Sequence, residues 1–262
     1  MTLSYDRTNF ILFHRFSSFF NAYQGQLSFA SPEQKAHQMH PTAMDNGRLF
    51  FECYLGDVAG KILVDVGAQN VNGSLRDAAP SGVRYTGVDF LPGDGVDIVL
   101  SDAYQLPFES ASVDVVVSSS CFEHVEFFWL MFNEIMRVLK PAGLFYLNTP
   151  SNGEFHRYPV DCWRFYPDAG QALVNWSSRS GYCPVLLESF TTGQRLDVWN
   201  DYVAIFLKDQ SRLADHPKRI LDRIANYTNG RLHGRTDFLH PQVASEDLAK
   251  LQKLTGSLKP TT

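Results

Sequence analysis

Short apolar runs alternate with stretches of helical spacing between residues 61 and 208. Lys61 to Val66 places β-branched Ile62, Val64 and Val66 in a run that reads as a buried strand. Asp65 and Gly67 close it, a small polar turn follows from Ala68 to Gly73, and Ser74 and Leu75 lead a short helical stretch. Val83 to Val88 predicts a second strand ending in Asp89, and Val96 to Leu100 a third, followed by Ser101 and Asp102. Val113 to Ser119 predicts the fourth, with an apolar VDVVV run suited to the middle of a sheet. Val125, Phe128, Trp129, Phe132, Ile135, Met136 and Leu139 then recur at helical spacing, which predicts an amphipathic helix packed on that sheet. Pro141 and Gly143 are read as its end, and Leu144 to Asn148 as the fifth strand. Pro167 at the first helical position predicts another helix, with Ala169, Ala172, Leu173 and Trp176 on one face and Gly181 closing it. Pro184 to Phe190 and Tyr202 to Lys208 read as the last two strands. Strands alternating with helices predict an α/β fold with a mostly parallel sheet.

The flanks read differently. Residues 1 to 30 are rich in phenylalanine (Phe10, Phe13, Phe16, Phe19, Phe20, Phe29) at partly helical spacing. Packing onto the domain accounts for this, and so does a lid or a dimer element, which leaves a homo-oligomer open. Ser31-Pro32-Glu33-Gln34 is a helix start, with Pro41 read as its stop, and residues 47 to 58 predict a helix feeding the first strand. Beyond residue 208, Pro217 to Tyr227 predicts a helix before a Gly/His/Pro-rich tail. The expected division is an N-terminal helical extension over 1–58, an α/β domain over 59–208 and a C-terminal extension over 209–262.

Three consecutive strands thus carry an acid at or near the C-terminal end: Asp65, Asp89 and Asp102. Ligands of open parallel sheets bind at that edge. Gly67 permits close backbone approach, and the N–H groups of the following turn suit an anionic group. An acid about twenty residues after the turn suits a ribose diol. These features fit NAD, FAD and S-adenosylmethionine alike.

The next stretch narrows the choice. The segments VDVGAQN (64–70), GVDF (87–90), SDAYQLPFESASVDVVVSS (101–119), FEHV (122–125) and RVLKPAGLFYLNTP (137–150) cover about a third of the chain in order. Together they resemble class I S-adenosylmethionine-dependent methyltransferases of the broad type 11 group. The resemblance implies a Rossmann-like sheet of seven strands, helices on both faces and the last strand antiparallel. It implies S-adenosyl-L-methionine as cofactor, with Asp65 and Gly67 beside its methionine part and Asp89 on the ribose hydroxyls. Phe90 would lie against adenine, Asp102 and Ala103 would bond its edge, and Ser119 and Cys121 would flank the reactive methyl. The usual turn is acid-x-Gly-x-Gly-x-Gly. Here Gln69 and Val71 replace the later glycines and Gly73 comes two residues late, so Asn72-Gly73 would take the late glycine's role.

Residues 150 to 168 (PSNGEFHRYPVDCWRFYPD) combine hydrogen-bonding and aromatic side chains after the fifth strand, over the same edge. Loops of that content carry binding sites more readily than cores. Trp163, Phe165 and Tyr166 would alternatively fill the core beside the next helix. The stretch is similar to a subset of type 11 proteins associated with glycan and secondary-metabolite pathways, which points to O-methylation of a small or sugar-like acceptor. A hydroxyl acceptor benefits from a general base. His156, with Asp161 to orient it, and His124, next to Glu123, are the candidates. Arg157, Tyr158, Asp161, Trp163 and Arg164 are the candidate acceptor-binding residues. The link from Thr191 to Asn200 is placed to reach the same edge.

Charge changes this picture little. Net charge is −5; residues 209–262 carry +3, leaving −8 on the rest, which argues against nucleic acid as partner. Cys53, Cys121, Cys162 and Cys183 form no Cys-x-x-Cys pair and read as reduced thiols. No apolar run approaches a membrane span, and His14 and Arg15 interrupt the N-terminal aromatic stretch, so a cytoplasmic protein is expected. His37 and His40 lack a third ligand nearby in sequence, and no metal is expected. Two other readings stand beside methyl transfer: a cofactor-binding protein without turnover, favoured by the altered glycine turn, and an NAD(P)-dependent oxidoreductase.

Overall fold

The computed structural model describes residues 41–71, 73–195 and 199–257. The expectations for the phenylalanine-rich segment, the helix starting at Ser31, His37, His40 and Asn72 lie outside these residues. The chain divides into two compact units, 1–36 and 37–262, and the described residues all belong to the second.

Eight strands form one sheet in the order β3-β2-β1-β4-β5-β7-β6-β8. They are β1 (Ile62–Val66), β2 (Arg84–Asp89), β3 (Ile98–Val99), β4 (Val113–Ser119), β5 (Leu139–Pro150), β6 (Val185–Thr192), β7 (Asp201–Leu207) and β8 (Tyr227–Leu232). β1 to β5 pair in parallel; β7 enters antiparallel to β5 and to β6, and β8 runs antiparallel to β6. The Rossmann-like architecture expected from the sequence is present, with one strand more than expected.

Alternation along the strands divides the core into two layers, because successive side chains leave a strand on opposite faces. Val64, Val66, Val116, Phe145, Leu147 and Phe206 face one cluster with α2 (Phe128–Val138) and α3 (Ala169–Arg179), through Phe132, Ile135, Met136 and Leu173. Leu63, Val115, Val117, Leu144, Tyr146 and Ile205 face the other, with Phe50, Phe51 and Tyr54 of α1 (Pro41–Tyr54). Phe132 meets Phe206 edge-on at 4.9 Å, and Phe50 stacks on Tyr146 at 4.8 Å. The sheet is covered on both faces, as a largely parallel sheet requires.

Several boundaries differ from expectation. Pro41, read as a helix stop, stands first in α1, a position that tolerates its missing N–H. The helix expected over 47–58 is therefore α1, shifted toward the N-terminus. The third strand shrinks to two residues at the sheet's edge. α2 stops at Val138, before Pro141, and β5 begins at once, with a register shift opposite Val113 and Val115. Pro167 precedes the cap residue Asp168 and lies outside α3.

The helix expected over 217–227 is a single turn, Ile220–Asp222, followed by β8. The reason is distant in sequence: the buried Glu188 of β6 accepts the N–H groups of Ile220 (2.7 Å) and Leu221 (3.0 Å) and the Tyr54 hydroxyl (2.5 Å). Those amides are held by a carboxylate on the sheet, so this segment folds against β6 and helix propensity does not decide it.

α4 (Glu246–Ser257) reaches the C-terminal edge of the sheet. Its Asp247 accepts from Asn152 (2.7 Å) and Gln194 (2.5 Å), and its Glu246 from the Gln194 amide (2.8 Å) and Asn200 (2.9 Å). Residues from the C-terminal extension thus tie together the loops after β5 and β6. No helix among the described residues is long and apolar enough to cross a membrane.

Candidate functional site

β1 has β2 on one side and β4 on the other, so the connections leave in opposite directions and a crevice opens at the C-terminal ends of these strands. Asp65, Gly67, Asp89, Ser119 and Cys121 all come to this switch point.

Gly67 turns the chain sharply, with φ +81°, and its N–H donates to the Val88 carbonyl at 3.0 Å. A Cβ at Gly67 would lie 2.5 Å from the Cys121 Cβ and inside contact with its sulfur. Glycine is therefore demanded by the close approach of Cys121 as well as by φ. Burial pushes the Cys121 thiol well above its ordinary pKa, so it is a packing group here and not a thiolate.

Asp89 is buried and accepts from the amides of Leu91 (3.0 Å), Gln69 and Phe90. Burial raises its carboxyl above the usual range and those amides oppose the rise. Asp65 is buried on the α1 face, where it accepts from the Tyr85 hydroxyl at 2.6 Å. Burial lifts its carboxyl to about 6, against the Tyr85 bond and the charge of Arg76. Arg76 lies over the Tyr85 ring at 4.5 Å and pairs with Asp97. No sequence pattern singles out Tyr85. Strand register places it beside Leu63, on the same face as Asp65.

The remaining cofactor candidates divide. Gln69 packs on the β2–β3 loop, where a Cβ on Gly93 would meet its side-chain amide. Asn70 bonds the Asp94 carbonyl through its N–H at 2.8 Å and accepts from the Gly73 N–H at 2.8 Å, closing the turn. Gly73 has φ +138°, so it does supply a backbone state that side chains avoid. Phe90 and Ala103 are half-buried; Asp102 is exposed and accepts from the Tyr104 amide at 2.8 Å. The Ser119 hydroxyl is buried without a hydrogen-bond partner. An orphaned polar atom at the end of the central strand fits a polar ligand at this edge.

A second cluster lies beyond β4 and β5. The 3-10 turn Phe122–His124 follows β4, and the loop after β5 folds back on it: the Glu123 carbonyl accepts the amides of Cys162 (2.8 Å) and Trp163 (3.1 Å). This brings His124 and His156 together, with ring centroids 5.0 Å apart. His124 Nδ1 meets the Val160 carbonyl, and its Nε2 lies 3.7 Å from the Glu123 carboxylate. Burial holds the His124 imidazole below its ordinary pKa. Glu123 is 1 % exposed, and burial lifts its carboxyl to about 7, against the Thr149 hydroxyl it accepts at 2.9 Å.

The five acceptor candidates also divide. Asp161 accepts the His156 amide (2.7 Å) and both ends of the Arg164 guanidinium (2.6 and 2.9 Å). Burial alone would raise its carboxyl, but Arg164 holds it at about 2. Arg164 also donates to the Glu154 and Trp163 carbonyls, so Asp161 and Arg164 form an internal tie that shapes the loop. Trp163 donates to the Val125 carbonyl at 3.1 Å and packs on Phe128 at 5.3 Å, while 37 % of it stays exposed. Phe165 fills the core, as one sequence reading allowed, and Tyr166 is exposed. Arg157 and Tyr158 are exposed and face solvent at the rim. Trp199, from the link after β6, stands 5.1 Å from His156.

A surface hollow of about 330 Å³ lies elsewhere, between Thr42, Asn46, Gly193 and Asn226, and contains none of these residues.

Residues 64–147 match the profile of a family described as a methyltransferase domain. An uncharacterized methyltransferase of Mycobacterium leprae is 35% identical over 115 residues, covering 39% of this chain and 42% of its own length. One from Mycobacterium marinum is 34% identical over 157 residues, 53% of this chain and 60% of its own. The phthiotriol/phenolphthiotriol dimycocerosates methyltransferase of Mycobacterium tuberculosis is 32% identical over 125 residues, 40% of this chain and 44% of its own. The chain therefore spans about half the length of these relatives. Among solved structures, Burkholderia thailandensis 1,6-didemethyltoxoflavin-N1-methyltransferase, with 1,6-didemethyltoxoflavin and S-adenosylhomocysteine bound, superposes with a TM-score of 0.50 at 16% identity. That match covers 80% of this chain and 94% of the other, and it shares the fold.

Proposed function

From a chain that carries a methyltransferase domain over residues 64–147, we propose an S-adenosyl-L-methionine-dependent methyltransferase acting on a hydroxyl of a small or sugar-like acceptor. The observation that carries this is the convergence of Gly67, buried Asp89 and the orphaned Ser119 hydroxyl at the switch point between β1 and β4.

When bound, S-adenosylmethionine supplies a sulfonium methyl, whose C–S bond breaks toward sulfur as the acceptor's electron pair forms the new bond. The chain's own residues supply position and protonation. Asp89, fixed by three amides, accepts the ribose hydroxyls, and Asp65 sits where it favours the cationic methionine end. Ser119 presents a free hydroxyl between that end and the acceptor side. On the acceptor side, the loop after β5 supplies exposed aromatic faces (Tyr158, Trp163) on which a ring stacks, with one exposed cation, Arg157, at the rim. The proton of a hydroxyl acceptor passes to an imidazole. His156 is the better placed, because its side chain is 40% exposed where that of His124 is 12%, and a proton on Nδ1 toward the Glu154 carbonyl at 3.1 Å leaves its Nε2 unprotonated. Proximity and orientation supply most of the rate in such an in-line transfer, and the base adds to it.

Calorimetric titration with S-adenosylmethionine and S-adenosylhomocysteine, with NAD as control, tests the class. Micromolar binding of the first two and none of NAD is expected. Asp89→Ala should weaken S-adenosylhomocysteine by about 100-fold or more, because two hydrogen bonds to a charged acceptor are lost. Unchanged affinity would remove Asp89 from the site.

A further inference from the structure

We propose that Glu123, His124 and His156 form a binding site for one divalent transition-metal ion of the zinc type, with an open position for an oxygen of the methyl acceptor. One ligand atom from each residue lies within 4.8 Å of the other two. Ligands of a tetrahedral zinc site, bonded at about 2.0–2.1 Å, stand about 3.4 Å apart. The Glu123–His124 pair, at 3.7 Å, is almost at that spacing. His156 supplies the remaining closure, and it can move: its side chain is 40% exposed and sits on a loop.

Each ligand is also held from behind, as metal ligands generally are. His124 gives its Nδ1 proton to the Val160 carbonyl and keeps Nε2 as donor. His156 Nδ1 lies 3.1 Å from the Glu154 carbonyl and 3.5 Å from an Arg164 nitrogen; a proton on Nδ1 toward the carbonyl leaves Nε2 for an ion. The second oxygen of Glu123 takes the Thr149 hydroxyl. One nitrogen of each imidazole and one carboxylate oxygen thus come within 4.8 Å of one another. A purely structural Glu-His pair needs no second imidazole beside it.

Two imidazoles with one carboxylate suit zinc, iron, cobalt or nickel and not magnesium or calcium, which take oxygen ligands. The nearest fixed cation, Arg164, is matched by Asp161 through two bonds, and at His124 the charge of Asp161 opposes that of Arg164. Three protein ligands leave the fourth position open. The ion's place in methyl transfer rests on the function proposed for the neighbouring switch point; the site itself does not. An ion held there would lower the pKa of an acceptor hydroxyl at the open position, so that its proton could leave to water; the base role given to His156 then applies to the ion-free protein.

The test uses the full chain without an affinity tag, stripped with a chelator and titrated with cobalt(II) alone. One equivalent is expected, with visible ligand-field bands. His156→Ala should weaken binding by about 100-fold or more while thermal unfolding stays unchanged, and His233→Ala, remote from the cluster, should bind as the parent does. Absence of bands at millimolar cobalt overturns the site, and so does binding that His156→Ala leaves intact. S-adenosylhomocysteine titrated into the same samples separates the two readings. Cofactor binding without cobalt binding removes the metal and keeps the methyltransferase; the reverse keeps the metal and removes the methyltransferase.

Discussion

Gly67→Ala is expected to destabilise the protein by about 4 kcal/mol and to abolish cofactor binding at micromolar concentration. Two costs add. A non-glycine residue at φ +81° costs about 1–2 kcal/mol. The new methyl also falls 2.5 Å from the Cys121 Cβ, a separation that forces the backbone after β1 or β4 to move, at about 1–3 kcal/mol. The two costs separate experimentally. Cys121→Gly in the Gly67→Ala background removes both the Cβ and the sulfur from the contact, and should recover the steric part while leaving the backbone part. Urea unfolding of the four proteins of this cycle measures the coupling. Additivity of the two substitutions would mean that the methyl does not meet Cys121, and the packing of the turn would need another account.

This dependence on Cys121 separates what is legible in sequence from what is not. Gly67 is legible from its place after an apolar run ending in an acid. The reason it must be glycine is a contact 54 residues away, across β4. The same holds for the later turn. Gln69 stands where a glycine is usual, and the structure gives it a different task, packing on Gly93 in the β2–β3 loop. β1 and β4 are legible as apolar runs buried on both faces, β2 by its buried end at Val88, and α2 by its helical periodicity. β8 is not: Tyr227–Leu232 buries only Tyr227 and Gly230, and its place in the sheet comes from main-chain pairing with β6. Nor is the turn at Ile220, whose amides are claimed by Glu188. In the candidate site, His124 and His156 are visible as residue types. Their meeting depends on the loop after β5 folding back to the Glu123 carbonyl, a main-chain contact that no side-chain pattern encodes. Arg164 and Asp161 show the converse: they read as binding residues, and they bind each other.

Asp65→Asn is expected to make the protein more stable at pH 8, by up to about 3 kcal/mol, while weakening the cofactor. The sign follows from the direction of the shift. The Asp65 carboxyl titrates at about 6 in the fold and near 3.8 when unfolded. Below the lower value both states are protonated and the group contributes nothing. Between the two, the folded state holds a proton that the unfolded state has released, so stability falls as pH rises. Above about 6 the fold carries a buried carboxylate at full cost. At 4 % exposure, solvent offers that charge little relief. Asparagine keeps an oxygen for the Tyr85 hydroxyl and removes the charge, so the fall in stability between pH 4 and 6 should flatten. A fold that keeps a carboxylate at such cost has a use for the charge, and the cationic end of S-adenosylmethionine is the use consistent with its position at the end of β1. Unfolding at pH 4, 6 and 8, paired with S-adenosylhomocysteine titration at pH 8, reads both effects. A variant as sensitive to pH as the parent would place the titration on another group, and one that is more stable yet binds the cofactor equally well would leave Asp65 without a role in binding.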